Sequence, residues 1–130
     1  MIRFAYTIFY VNDVSVSISF YEKAFGFKRK FISENNEYGE LLTGETTLSF
    51  ASVNLAKSNL TNGFVQSNAN EKPFAMEIGF TTDDVAVTMN QAIAAGAKKV
   101  EEPKVKPWGQ TVAYIKDPDG FLIELCTPMN

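Results

Sequence analysis

Glu124 stands in the run Phe121–Cys126, FLIELC, as a carboxylate in an otherwise apolar stretch. An unpaired carboxylate is costly to bury. Its presence there points to proton transfer or to a hydrogen bond with a ligand. The chain before it, Gln110–Lys116, alternates in the same way, and Asp117-Pro118-Asp119-Gly120 separates the two runs. Pro118 presets the first turn position and Gly120 suits a left-handed one, which predicts a hairpin with a three-residue loop. In that register Asp117 pairs with Phe121, Ile115 faces Ile123, Ala113 faces Leu125 and Tyr114 faces Glu124. One face is then Ala113, Ile115, Ile123 and Leu125, and the other carries Val112, Tyr114, Leu122, Glu124 and Cys126. Nothing near Cys126 lowers a thiol pKa, so it reads as a packing residue rather than a nucleophile. Trp108, between Pro107 and Gly109, either lines a pocket or anchors its loop.

The chemistry open to these groups is narrowed by a count: the chain contains no histidine. Imidazole is the common ligand of Zn, Ni, Cu and non-haem Fe and the common base near neutral pH. A net charge of −3 gives nucleic acid nothing to bind at long range. Lys28-Arg29-Lys30 reads as a solvated strand. One cysteine excludes an intrachain disulfide. No run approaches the ~20 apolar residues of a membrane span, and the opening MIRFAYTIFYV alternates instead of forming a signal peptide's apolar block. Neither a glycine-rich phosphate loop nor a serine-nucleophile motif is present. A cytoplasmic protein is the expectation, with no nucleic-acid or membrane partner.

The elements that must position these groups follow from periodicity. Residues 3–11 alternate with both faces largely apolar, which predicts a strand covered on both sides. Asn12-Asp13 caps a helix over 14–25 with Val14, Ile18, Tyr21 and Phe25 inward, and Gly26 ends it. Strands follow at 27–32, 38–42 and 46–52. Residues 53–73, rich in Asn and Ser, read as a long connector. The order then recurs: a strand at 74–81, a helix capped by Asp83-Asp84 with Val85, Met89, Ala92 and Ile93 inward and ended by Gly96, a strand around 99–102, and the hairpin. Strand–helix–three strands occurs twice. The expectation is one α+β domain over 1–130, with module one at about 1–52, a linker at 53–73 and module two at about 74–130.

The paired modules, YVNDVSVSISFYEKAFGF near the start and WGQTVAYIKDPDGFLIEL near the end, together resemble the vicinal oxygen chelate superfamily. That group includes glyoxalase I, bleomycin-resistance proteins, fosfomycin-resistance enzymes and extradiol dioxygenases. The resemblance implies two βαβββ modules forming cup-shaped mixed sheets, and usually a homodimer. It also implies four inward strand positions that bind metal in the metal-dependent members. Transferred residue by residue, these fall on Tyr6, Ser49, Glu77 and Glu124. Two of the four are poor ligands and no imidazole remains, so a Zn, Ni or Fe site is not expected. A hard cation such as Mg or Mn on two carboxylates would leave most coordination to water. No cofactor is expected.

Glu77 and Glu124 would then face one partly apolar cavity, where two carboxylates cannot both ionise cheaply and one is held protonated. They are the candidate catalytic pair. Tyr6, Ser49, Trp108 and Tyr114 are the candidate ligand-binding residues, with Phe4 and Tyr10 as further aromatics of the cup or its mouth. The leading expectation is a small-molecule-binding protein of the bleomycin-resistance kind, a homodimer sequestering a partly aromatic or cationic ligand. The alternative is a glyoxalase-like lyase or isomerase using Glu77 and Glu124 as acid and base or as weak metal ligands. A regulatory subunit with its cup filled by side chains is a third class.

Overall fold

The computed structural model describes residues 1–129. The chain is a mixed α+β fold of two four-stranded mixed sheets with the same strand order in each half. It divides into two compact units, Met1–Glu22 with Gly26–Gln66, and Lys23–Phe25 with Ser67 onward.

In the first unit β1 (Tyr6–Val11) leads into α1 (Val14–Phe25), whose last residues count with the second unit. Asp13 caps α1 by accepting from the Val16 amide at 3.2 Å. Asn36, left-handed at φ 58°, clamps the same end. It donates to Asp13 at 2.9 Å and accepts from the Ser15 amide at 2.9 Å. β2 (Lys28–Ile32), β3 (Tyr38–Leu42) and β4 (Thr47–Ser52) follow, and β4 pairs parallel to β1 in the order β1-β4-β3-β2. Val14, Ile18 and Tyr21 are fully buried on the sheet, with Tyr21 tilted against Phe50. The helix comes so close at Gly39 that a Cβ there would stand 2.6 Å from Ile18 Cδ1.

Two expectations fail here for identifiable reasons. β1 begins at Tyr6 rather than residue 3, and it is covered on one face only: Phe9 and Val11 are buried, whereas Phe4 is 81% and Tyr6 49% exposed. Apolar character on both faces therefore does not report two covering layers within one chain. The Asn- and Ser-rich stretch after β4 opens with a helix, α2 (Val53–Asn59), capped by Ser52, which accepts from Leu55 N. Only Val53 and Ala56 are buried in it, too few to show as a periodic signal.

The second unit repeats the plan with β5 (Ile78–Thr81), α3 (Val85–Ala95), β6 (Lys98–Val105), β7 (Thr111–Lys116) and β8 (Leu122–Cys126), in the order β5-β8-β7-β6. Asp84 caps α3 as Asp13 caps α1, and Gly96 ends it as Gly26 ends α1. Ile93, expected inward, is exposed; Val85, Met89 and Ala92 carry the buried face. β5 is shorter than expected and leaves Phe74 and Met76 exposed. β6 is longer than expected, an edge strand that tolerates Pro103 with two register shifts.

The hairpin forms in the expected register, with Tyr114 opposite Glu124 and Ile115 opposite Ile123. Asp117, fully buried, accepts from the amides of Asp119 and Phe121 at 2.9 Å each, so the side chain builds the turn that its sequence signals. Ala113, Ile115, Ile123 and Leu125 are all fully buried. Residues 67–71 lie over this turn: Lys116 Nζ donates to the carbonyls of Ala69 and Glu71 at 2.8 and 2.9 Å, and Lys98 Nζ donates to Asn70 at 2.9 Å. Among the described residues no helix is long and apolar enough to cross a membrane.

Candidate functional site

The second unit brings three of the expected residues together. Glu124 stands on β8 directly across from Tyr114 on β7, and the Tyr114 hydroxyl donates to Glu124 Oε1 at 3.0 Å. Alternation places Glu77, the residue before β5, on the same face: Gly79 pairs with Glu124, and Glu77 lies two residues back. A Cβ on Gly79 would meet open space, so this strand glycine leaves the floor beside Glu124 clear.

The electrostatics of the trio are unequal. Burial of its inner side raises the Glu77 pKa above the ordinary carboxylate value, and the neighbouring Glu124 raises it further as hydrogen-bond partner and as like charge. Burial pushes Tyr114 up to about 12, with Glu124 adding to the effect, so its hydroxyl stays a donor across the working pH range. Glu124 therefore accepts a hydrogen bond from a phenol that stays protonated, while Glu77 is the carboxyl whose pKa is displaced upward. Cys126 is buried, donates to the Phe80 carbonyl at 3.8 Å, and is held as a thiol by burial first and by both glutamates next.

Glu77 is not enclosed as expected. Taken as a whole the residue is exposed, because β5 starts only at Ile78 and leaves it at an open end of the sheet. A carboxyl raised in the fold costs stability as it ionises. Stability is expected to fall as pH climbs from the ordinary glutamate value of 4.5 through the raised one. Thermal midpoints measured over that window should decline in the wild-type protein and stay flatter in Glu77→Gln.

Trp108 is not part of the trio. It is 61% exposed, and its Nε1 donates to Gln110 at 2.8 Å while Gln110 donates to the Thr127 carbonyl at 2.7 Å. It lines a separate notch of about 220 Å³ with Gly109, Gln110, Pro128 and Met129.

Tyr6 and Ser49 lie in the first unit, on the face of β1 and β4 opposite the core. Ser49 Oγ is fully buried and has no hydrogen-bond partner. Directly across from it on β3 stands Glu40, which periodicity does not single out, nor does it single out Tyr38. The Tyr38 hydroxyl donates to Glu40 Oε2 at 2.7 Å, and burial, opposed by Ser49 and aided by Glu40, takes Tyr38 up to about 12. Ser49 acts on that phenol without closing a hydrogen bond to it. The missed signal is YGELL: it places Glu40 between inward Leu41 and Gly39, as LIELC places Glu124 between Ile123 and Leu125.

The donors at the four transferred positions do not suit a transition metal. Tyr6 and Ser49 offer a phenol and a hydroxyl, and both carboxylates fall in one unit. Among the described residues no group of three or more His, Cys, Asp or Glu side chains could hold a metal ion.

Comparison with known proteins decides the family. The model of the glyoxalase-like domain matches residues 4–130. The chain belongs to the glyoxalase-like domain family. This glyoxalase-like chain is 30% identical over 128 residues to a protein of Vibrio parahaemolyticus named "Probable lactoylglutathione lyase", covering 95% of this chain and 88% of that one. It is 29% identical to the "Lactoylglutathione lyase" of Haemophilus influenzae, covering 92% and 87%. Its fold matches the crystal structure of a glyoxalase-related enzyme from Fulvimarina pelagi with a TM-score of 0.82 at 22% identity, over 98% of this chain and 89% of that one.

Proposed function

We propose that this glyoxalase-like protein is a lyase or isomerase that moves a proton next to a carbonyl group, with Glu124 as base and Glu77 as the proton-holding acid. The observation that carries the reading is the asymmetry of the pair: Glu124 accepts from the Tyr114 hydroxyl, and burial with the neighbouring carboxylate pushes Glu77 toward the acid form. Two carboxylates set apart in this way supply both halves of a proton shuttle without imidazole.

The named relatives point to S-lactoylglutathione as the first substrate to try. In the chemistry proposed, Glu124 takes the proton on the carbon bearing the hydroxyl, beside the thioester carbonyl. The proton returns to the former carbonyl carbon, and the hydroxyl proton crosses to the former carbonyl oxygen. The hemithioacetal so formed separates into a thiol and a dicarbonyl.

The assay follows gain of thioester absorbance from the adduct of thiol and dicarbonyl, the same proton transfer run in its downhill direction, using protein dialysed against a chelator. Turnover is expected to persist after dialysis. A protein inactive until Zn or Ni is restored would overturn the carboxylate-only reading.

A second reading has its own support. The first unit offers Tyr6, Ser49 and Glu40 as binding groups, which suits sequestration of a ligand, as in bleomycin-resistance proteins. Under that reading the wild-type protein binds ligand without turnover, and Glu40→Gln lowers affinity whereas Glu77→Gln and Glu124→Gln do not. The exposed Phe4, Tyr6, Ile8, Phe31 and Leu42 of the first unit support a homodimer in either case. Sedimentation measurements over a range of protein concentrations test this.

A further inference from the structure

The first unit carries a second constellation that the proton-transfer reading leaves unused. Phe31 on β2, Glu40 on β3, Ser49 on β4 and Ile8 on β1 pair successively across the sheet, so their side chains form one row on one face. Tyr38 lies two residues from Glu40 on that face, its ring 5.9 Å from that of Phe31.

Three features of this row point to a ligand. Glu40 is a carboxylate whose side chain is only 14% exposed, and Tyr38 satisfies just one of its oxygens. The other, Oε1, faces Lys30 Nζ at 3.7 Å, beyond hydrogen-bonding distance, from a lysine side chain that is 58% exposed. Beside them Ser49 Oγ is sealed from solvent with no partner, a costly arrangement for a native hydroxyl. Acceptor oxygens flanked by aromatic rings are the groups that recognise an ammonium ion.

The geometry points to Glu40, Ser49 and Tyr38 as a subsite for the protonated amine of a small aromatic ligand. The ammonium displaces Lys30 and donates to Glu40 Oε1. The Phe31 and Tyr38 rings flank the organic part. Tyr38 remains a neutral donor on the far oxygen. This inference concerns groups on the first sheet alone and stands whether or not Glu77 and Glu124 perform chemistry.

The test uses the full chain with benzylamine and its neutral counterpart benzyl alcohol, titrated by calorimetry at neutral pH. A charge-assisted hydrogen bond is worth roughly 10-fold or more in affinity, so benzylamine should bind at least about that much tighter than the alcohol. Glu40→Gln should reduce benzylamine to the level of the alcohol, and Ser49→Ala should weaken it by a smaller factor. Lys30→Met, which removes the internal competitor from an exposed position, should tighten it several-fold. Glu77→Gln and Glu124→Gln should leave it unchanged. Equal affinity for amine and alcohol overturns the proposal, as does binding of neither, or an amine affinity unchanged or lowered in Lys30→Met. Loss of amine binding in Glu77→Gln with none in Glu40→Gln assigns the ammonium to the other carboxylates and also overturns it.

Discussion

Glu124→Gln is expected to lower turnover of S-lactoylglutathione by about 10²–10⁴-fold, the range by which positioned general bases accelerate proton transfer. The amide keeps the size of the side chain and its place opposite Tyr114, and it can still accept the phenolic hydrogen bond, so the hairpin is retained. What it loses is the ability to take a proton. The thermal midpoint should therefore move little while the rate collapses. Tyr114→Phe provides the finer readout: without the hydroxyl at 3.0 Å, Glu124 loses the donor that orients its carboxylate. The rate should then fall much less than in Glu124→Gln. A Glu124→Gln protein within tenfold of wild-type turnover would remove Glu124 as the base.

The largest effect on stability is expected at Gly120. Its φ of +97° is one that side chains rarely adopt, and a Cβ would meet the Asn68 carbonyl carbon at 2.5 Å and the Ala69 nitrogen at 2.7 Å. Both are backbone atoms, held in place because Lys116 donates to the carbonyls of Ala69 and Glu71. Gly120→Ala therefore incurs a left-handed backbone penalty of about 1–2 kcal/mol and an overpacking penalty of about 1–3 kcal/mol. Gly109→Ala separates the two. Its φ is +100°, nearly the same, but nothing lies within 4 Å of its Cβ. Denaturant unfolding should show Gly120→Ala clearly below Gly109→Ala, the difference measuring the close approach of residues 67–71. Equal losses in the two variants would show that the strap yields freely.

Much of this architecture is local and therefore written in the chain. Asp13 and Asp84 cap their helices by contacts three residues away, and Asp117 builds its turn from amides two and four residues on. Interactions of that range need no tertiary information, so spacing alone predicts them. The cross-strand register of Tyr114 and Glu124 follows from the same turn, because loop length sets which residues face each other. The repeat carries the rest: once both halves share caps and helix stops, they share a sheet order.

The raised pKa of Glu77 and the cluster around Glu40 are decided by the fold. Glu77 precedes a strand that begins one residue later, and only the parallel pairing of β5 with β8 brings it beside Glu124. Glu40 acquires its meaning from Ser49 on a neighbouring strand and from Lys30 displaced by a bulge, neither of which periodicity can place. Alternation along a strand tells which face a side chain takes. What stands next to it, and whether it holds a proton there, depends on chains brought together from far apart.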